Sequence, residues 1–208
     1  CHATAFILLV RPLIDAGLLP ADYPVTATSI TGYSGGGKKM IEQYQAGGDP
    51  VLGAPRQYGL ALTHKHLPEM QAYTRLGTAP VFAPIVANYY KGLAVSIGLQ
   101  TRLLTDRASP ARVHEALQRH YEGERFVTVR PLNDPEVSAG GFFDVQACND
   151  TNRAELFVFG HEGQVMLIAR LDNLGKGASG AAVQSMNLRL GLDEGLGLEQ
   201  AGPLSAAA

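Results

Sequence analysis

The sequence predicts an α+β fold: a mixed, largely antiparallel sheet with helices packed on one face. The predicted strands cluster without regular helical crossovers, and residues 155–159 and 164–171 form two well-patterned strands joined by a glycine-bearing turn. No Gly-x-Gly-x-x-Gly motif follows an N-terminal strand, so this chain is not expected to contain a Rossmann domain. The 208 residues, 46% of them hydrophobic, suffice to bury a full core.

Boundary signals and periodicity place the individual elements. An apolar stripe at helical spacing predicts a helix over residues 3–16, with Gly17 just past its end. Ser109 as N-cap and Pro110 at the first helical position predict a helix to about residue 121. Further helices are predicted over 38–45, 68–76 and 178–190. The remaining strands are predicted over 25–31, 58–62, 81–86, 93–99, 126–129 and 142–147.

Composition and charge favour a small-molecule partner. The net charge is -2 and the basic residues are scattered, which argues against nucleic acid and against an anionic membrane surface. No apolar run reaches the roughly 20 residues that span a bilayer. The two cysteines, Cys1 and Cys148, are too few for a disulfide framework, so we expect a cytoplasmic protein. The first residue is Cys rather than Met, which leads us to expect that an upstream segment is missing.

The residues that could carry nucleophilic chemistry are one cysteine and two histidines. Cys1 stands at a predicted helix N-terminus, where unpaired N–H groups and the helix dipole favour a thiolate, although it could also be an incidental residue. His64 and His66 are two apart on a predicted extended segment, so both rings should leave one face, as an acid/base group and its support or as two surface histidines. We expect no metal, because His114 and His120 do not share a helix face that could complete a site.

Two glycine-bearing segments could bind anions or a cofactor. Residues 32–38 match Gly-x-x-x-x-Gly-Lys, but Lys39 stands where a nucleotide triphosphatase needs Ser or Thr. The residues left to hold a smaller phosphate or carboxylate are Ser34, Gly35, Gly36, Gly37 and Lys38. Residues 173–177 form another glycine-bearing turn before a helix, with an amide at Asn173. A plain flexible turn remains open for either segment.

Taken together, these segments resemble the N-acetyl-γ-glutamyl-phosphate reductases, within the larger glyceraldehyde-3-phosphate and aspartate-semialdehyde dehydrogenase group. The resemblance covers about residues 1–190, and the Ser-Gly-Gly-Gly-Lys-Lys motif is similar to that of the second, shorter type of this reductase. Five segments carry it in the family's order: Cys1-His2-Ala3-Thr4, residues 32–39, residues 64–69, residues 149–152 and residues 172–178.

The resemblance implies an arginine-biosynthesis enzyme in which Cys1 attacks an acyl phosphate and NADPH reduces the resulting thioester to a semialdehyde. It implies His66 as the acid/base group, with His64 as second choice. Thr151 and Asn152 would line the substrate pocket together with residues 34–38. The implied NADP(H) contacts are Asn173, Gly175, Lys176 and Gly177, with most of the cofactor held by a domain that this chain lacks. Relatives of this kind imply a homodimer or homotetramer.

The same resemblance implies a division of the chain. Residues 1–175 would form the catalytic, substrate-binding and oligomerisation domain. Residues 176–191 would form a helix that packs on the missing NADP-binding domain and leaves an apolar patch exposed here. Residues 192–208 are predicted to be a disordered tail. We therefore expect this chain alone to bind NADPH weakly or not at all and to show no turnover.

Two other classes of protein remain open. If Cys1 were a mature N-terminus, its own α-amine could act as base for the thiol, as in N-terminal-nucleophile amidases. The antiparallel sheet could instead belong to a dimerising regulatory domain without catalysis. The alkylation rate of Cys1 at neutral pH separates the regulatory domain from either enzyme, because an inert module would show the rate of a simple thiol.

Overall fold

The structure is a computed structural model that describes residues 1–198. Within this part of the chain, seven strands form one sheet and six α-helices accompany it. The strands are β1 (Thr26–Gly32), β2 (Arg56–Gln57), β3 (Val81–Ala87), β4 (Leu93–Gln100), β5 (Val127–Val129), β6 (Ala154–His161) and β7 (Gln164–Leu171). The helices are α1 (His2–Asp15), α2 (Lys38–Ala46), α3 (Leu67–Thr74), α4 (Pro110–His120), α5 (Pro135–Ser138) and α6 (Gly180–Arg189).

The strand order is β2-β3-β1-β4-β7-β6-β5, and the pairing is mixed. The pairs β2/β3, β1/β4, β4/β7 and β6/β7 are antiparallel, whereas β1/β3 and β5/β6 are parallel. The predicted hairpin is β6–β7, paired from Ala154↔Leu171 to His161↔Gln164. The predicted mixed, largely antiparallel sheet is therefore confirmed.

The main core lies between one face of this sheet and the helices α1 and α4. Phe6, Leu9 and Leu13 of α1 are fully buried and belong to the same apolar cluster as Leu167 of β7. The predicted cap of α4 is present, since Ser109 Oγ accepts a hydrogen bond from Arg112 N at 3.3 Å. The apolar stripe of α1 thus fixes the helix on the sheet, with its N-terminus held in a defined position.

Residues 139–148 cover one end of the opposite sheet face, and here the predicted strand over 142–147 is wrong. These residues form turns, and the Phe143 ring meets the Phe157 ring edge-on with centroids 5.0 Å apart. The Arg170 guanidinium lies 5.0 Å from both ring centroids and pairs with buried Glu155. Phe143 therefore covers this part of the sheet face, and the segment does not form another strand.

The predicted strand over 58–62 is also wrong. Strand β2 is limited to Arg56–Gln57, after which Gly59 and Leu62 both have positive φ, at +67° and +56°. Left-handed residues cannot continue a pleated strand. The chain therefore turns before it reaches the two predicted histidines.

The C-terminal part is more ordered than predicted. A π-helix, Gly175–Ser179, precedes α6, which begins at Gly180 rather than at the predicted residue 178. Asn187 Nδ2 donates to the carbonyls of Glu194 and Leu196, at 3.1 and 2.9 Å, and these bonds hold turns on α6. The predicted disorder over 192–208 is therefore wrong for residues 192–198, and residues 199–208 lie outside the described residues.

No helix within residues 1–198 has the length and apolar character needed to cross a membrane.

Candidate active site

Cys1 is the N-cap of α1 and is packed against the turn that follows β7. A Cβ added to Gly177 would lie 2.6 Å from the Cβ of Cys1, a distance that no real side chain tolerates. Gly177 is therefore required for the π-helix to approach the cysteine. The N–H groups of the first turn of α1 have no partner within the helix, so the cysteine stands beside free donors and the positive end of a helix dipole.

Helix α3 brings a second N-terminus to the same place. It runs beside α1 in the same direction, because Arg11 Nη1 near the end of α1 donates to Tyr73 O near the end of α3, at 2.8 Å. At the opposite ends of the two helices, the rings of His2 and His66 have centroids 6.1 Å apart. His66 is the N-cap of α3. The positive ends of both helices therefore point to the region of Cys1 and His66, where an anion would be stabilised.

His64 and His66 lie together, but not for the predicted reason. Their ring centroids are 5.1 Å apart, yet the backbone is a turn rather than an extended strand. The expectation of two rings on one strand face is therefore corrected: His66 N donates to His64 Nδ1 at 3.3 Å, and this bond holds the turn. His66 Nδ1 lies 3.3 Å from Glu69 Oε2, one turn into α3.

Burial favours the neutral form of both histidines. It lowers the pKa of His64, and the neighbouring His66 and Lys65 lower it further. Burial also lowers the pKa of His66, against which the Glu69 carboxylate acts in the opposite direction. Both rings are therefore neutral at pH 7, and each retains a ring nitrogen that can accept a proton.

A third histidine, His2, completes the cluster and was not predicted. It is 4% exposed, with Nδ1 2.8 Å from Ser29 Oγ and Nε2 2.9 Å from Tyr58 OH. Burial lowers its pKa to about 3. A signal was present in the sequence, because His2 shares the buried stripe of α1 with Phe6 and Leu9. A histidine on a core face must find internal partners, and these partners join α1, β1 and residues 56–66, here called the histidine segment.

The glycine loop contacts the turn after β7 through two predicted site residues, Ser34 and Asn173. Asn173 Nδ2 donates to Ser34 Oγ at 3.0 Å, and Asn173 Oδ1 accepts from Gly92 N at 2.8 Å. A Cβ on Gly35 would be 3.7 Å from Asn173 Nδ2. These three predicted residues are therefore brought together, and one N–H of the Asn173 amide remains without an internal partner in the described residues.

The rest of the glycine loop faces solvent. Gly36 and Gly37 are exposed, and Gly37 has a φ of +74° that suits only glycine before α2. The Lys38 side chain is 88% exposed, with its ammonium 3.8 Å from Glu42. The structure does not bring this ammonium to Ser34, so Lys38 would have to rotate to meet a bound anion.

The other predicted site residues make internal contacts. Thr151 Oγ1 donates to Cys148 O at 2.7 Å, and a Cβ on Gly175 would lie 2.5 Å from Thr151 O. Asn152 Nδ2 and Lys176 Nζ both donate to Gln184 Oε1, at 3.0 and 2.5 Å. These internal bonds connect the π-helix and α6 to the start of β6. Burial lowers the pKa of the Lys176 ammonium.

Residues 1–198 contain no candidate metal centre, and the surface depression between α1 and α4 lies away from Cys1. Among residues 1–198, no three His, Cys, Asp or Glu side chains are arranged to share a metal ion. A surface depression of about 410 Å³ lies between α1 and α4 and is lined by Pro12 and Arg112. With a helical rise of about 1.5 Å per residue, Pro12 is roughly 16 Å from Cys1 along α1, so this depression is a separate feature.

Comparisons with known proteins identify the family of this chain. The family model described as "Semialdehyde dehydrogenase, dimerisation domain" matches residues 1–173. "N-acetyl-gamma-glutamyl-phosphate reductase 2" of Nostoc sp. is 44% identical over 206 residues, which cover 95% of this chain and 64% of the relative. The Brucella ovis "N-acetyl-gamma-glutamyl-phosphate reductase" is 47% identical over 199 residues, covering 92% of this chain and 62% of the relative. The chain thus spans somewhat less than two thirds of these relatives.

Solved structures share the fold. The aspartate semialdehyde dehydrogenase from Francisella tularensis has a TM-score of 0.65 at 11% identity, covering 91% of this chain and 63% of that one. The aspartate semialdehyde dehydrogenase II from Vibrio cholerae has a TM-score of 0.60 at 16% identity, covering 89% and 59%. The resemblance seen in the sequence is confirmed: the chain belongs to the semialdehyde dehydrogenase dimerisation-domain family, with relatives named N-acetyl-gamma-glutamyl-phosphate reductase.

Proposed function

We propose that this chain is the catalytic part of a reductase that converts N-acetyl-γ-glutamyl phosphate to N-acetyl-glutamate 5-semialdehyde and phosphate in arginine biosynthesis. One observation carries the proposal: a cysteine at the N-terminus of α1 lies where α3 and the π-helix also begin, beside a cluster of neutral histidines. The names of the similar relatives support the substrate.

The first step is attack of the Cys1 thiolate on the acyl carbon of the substrate. A C–S bond forms, the acyl C–O bond to phosphate breaks, and the phosphate leaves with the electron pair of that bond, which yields a thioester. The two helix N-termini stabilise the negative charge that develops on the carbonyl oxygen and on the departing phosphate.

We assign proton transfer to His66 and support to His64. His66 stands at the cap of α3, and Glu69 at 3.3 Å fixes its ring. Its lowered pKa leaves it able to take the thiol proton before the attack and to return a proton to the Cys1 sulfur once the semialdehyde has left. His64 Nδ1 is already bonded to His66 N, which suits a residue that holds its neighbour in position.

NADP(H), when bound, would supply the hydride that reduces the thioester. The residues of this chain suit the nicotinamide end: Asn173 retains one amide N–H, and Gly35 leaves the space beside that amide without a side chain. Gly175 and Gly177 would permit a close approach, and Lys176 would brace the turn. We propose that α6, with Met186 and Leu188 exposed, packs on the nucleotide-binding part of the full-length enzyme.

We further propose that the chain forms a homodimer or homotetramer in the cytoplasm. The sheet face opposite α1 is partly uncovered, with Val81 51% and Met166 43% exposed, and Ile168 lies on the same face. A second copy seated on this face would bury these apolar side chains. Both cysteines are free, which agrees with a reducing compartment.

The first half of the reaction tests the proposed function without a cofactor. The chain is mixed with N-acetyl-γ-glutamyl phosphate, and released phosphate and covalent adduct are measured together, the adduct by mass spectrometry of peptides. We expect one acyl group on Cys1 per phosphate released. Cys148 should stay unmodified, since burial raises its pKa to about 12.

Two variants serve as controls for this experiment. Cys1→Ser should form no adduct, whereas Cys148→Ser should react like the wild-type chain. Alkylation of Cys1 by iodoacetamide at the rate of a simple thiol, with no acyl adduct, would contradict the proposed function and favour a non-catalytic domain.

A further inference from the structure

Arg56 differs from the other buried or half-buried arginines because no carboxylate pairs with it in residues 1–198. Arg130 pairs with Asp134 and Arg170 pairs with Glu155. The contacts of Arg56 are instead aromatic: Nη2 donates to Tyr44 OH at 3.0 Å, and Cζ lies 5.4 Å from the centroid of the Tyr44 ring. Its Nε is buried and has no hydrogen-bond partner. A half-buried guanidinium with an unused donor is a site prepared for an anion.

The backbone directs Arg56 to the same side as the histidine cluster. Arg56 pairs with Val86, and Tyr58 N donates to Pro84 O. Arg56 and Tyr58 are two residues apart in this extended segment, so their side chains lie on the same side of it. Val86 and Pro84 are both buried, which marks this as the inner side. The hydroxyl of Tyr58 bonds to the ring of His2, the residue next to Cys1.

On its other side, Arg56 adjoins the glycine loop. The rings of Tyr44 and Tyr33 are stacked with centroids 4.6 Å apart, and Tyr33 immediately precedes Ser34. Arg56 is therefore flanked by the Cys1 and histidine cluster at one end and by the glycine loop at the other. Lys38, the cation predicted to serve this loop, is paired with Glu42 in solvent instead.

We propose that Arg56 binds the free carboxylate group of the substrate. The inference rests on the proposed function, because an N-acylated γ-glutamyl phosphate carries its acyl phosphate at one end and a carboxylate at the other. The phosphate must be near Cys1, where helix N-termini supply the stabilisation, which leaves Arg56 for the carboxylate. Its planar guanidinium can bond a carboxylate through two parallel N–H groups, of which the buried Nε is one.

Protection of Cys1 from iodoacetamide measures binding without turnover. The ligands are N-acetyl-L-glutamate and its α-amide, which differ only in the group that Arg56 would meet. In the wild-type chain, the acid should protect at concentrations about 10- to 100-fold lower than the amide, the range of one charge-assisted bond of a buried pair. In Arg56→Gln, the acid and the amide should protect at about the same concentration, whereas Arg56→Lys should retain part of the preference for the acid.

Two controls separate binding from structure. Tyr44→Phe removes the hydroxyl contact of Arg56 but keeps the charge, so it should retain the preference for the acid. Arg102→Gln, at an exposed position, should behave like the wild-type chain. A preference for the acid that persists in Arg56→Gln would overturn the role of Arg56 while leaving the proposed function intact. Absence of protection by either ligand in a chain that also forms no acyl adduct would overturn both.

Discussion

The buried imidazole of His2 predicts a defined loss of stability in mild acid. Burial lowers its pKa to about 3, whereas in the unfolded chain it titrates near 6.5. Between these values the unfolded chain binds a proton that the folded chain does not, so stability falls as pH falls. The stability contributed by neutral His2 is fully present above about pH 6.5, and about 2 kcal/mol of it is lost at pH 5.

The assay is urea unfolding at pH 7.5 and pH 5, followed by far-ultraviolet circular dichroism. His2→Gln keeps a donor and an acceptor for Ser29 and Tyr58 but does not titrate. We expect this variant to be less stable than the wild-type chain at pH 7.5 by roughly 1–2 kcal/mol, because its bonds to the two hydroxyls are less well aligned. Its loss of stability between the two pH values should be smaller than that of the wild-type chain by about 2 kcal/mol.

His120→Gln is the matched control, because His120 is exposed on α4. It should reproduce the pH dependence of the wild-type chain, to which His64 and His66 also contribute. Equal losses in His2→Gln and in the wild-type chain would refute the reasoning, because they would mean that His2 binds its proton in the folded state. A pH titration of the His2 ring protons by NMR tests independently whether His2 binds a proton in the folded state.

Two further predictions concern packing and assembly. Gly177→Ala should destabilise the chain by about 1–3 kcal/mol in urea unfolding and change the alkylation rate of Cys1, because the new methyl group would lie 2.6 Å from the Cys1 Cβ. Met166→Glu should convert the proposed oligomer to a monomer in sedimentation velocity, because two copies would bring like charges together on the sheet face.

Both predictions have matched controls. Gly53→Ala adds the same methyl group where nothing lies within 4 Å, so its effect on unfolding and on Cys1 should be small. Leu103→Glu adds the same charge at a residue that is 39% exposed and lies beyond the end of β4. Identical sedimentation of Met166→Glu and the wild-type chain would exclude this sheet face as the interface.

The elements that could be predicted are those whose signals are local. The start of α4 follows from Ser109 and Pro110, and the hairpin β6–β7 follows from alternation on both sides of a short turn. The segment 142–147 was predicted as a strand, but its Phe143 ring packs on Arg170, which is distant in the sequence. Alternation alone cannot distinguish a strand from a cover, because both place every second side chain on the sheet.

The sequence allowed several candidate site residues to be named, but it did not show which distant residues they contact. Cys1, His64, His66, Ser34 and Asn173 were found from residue type and position. The role of His2 depends on hydroxyl groups 27 and 56 residues away, and that of Arg56 depends on the absence of a carboxylate, which only the folded arrangement reveals. Local patterns carry no information on which distant partner satisfies a buried polar group.

The two halves of the site differ in how firmly the scaffold holds them. The cysteine terminates a helix whose whole length is embedded in the core, whereas the histidine segment joins the sheet through the two-residue β2 and a few bonds such as that from Tyr58 to His2. Brief local opening should therefore start in the histidine segment while the nucleophile keeps its place. Substitutions there can retune reactivity with little change in melting temperature, which makes this segment the natural starting point for engineering altered acyl selectivity.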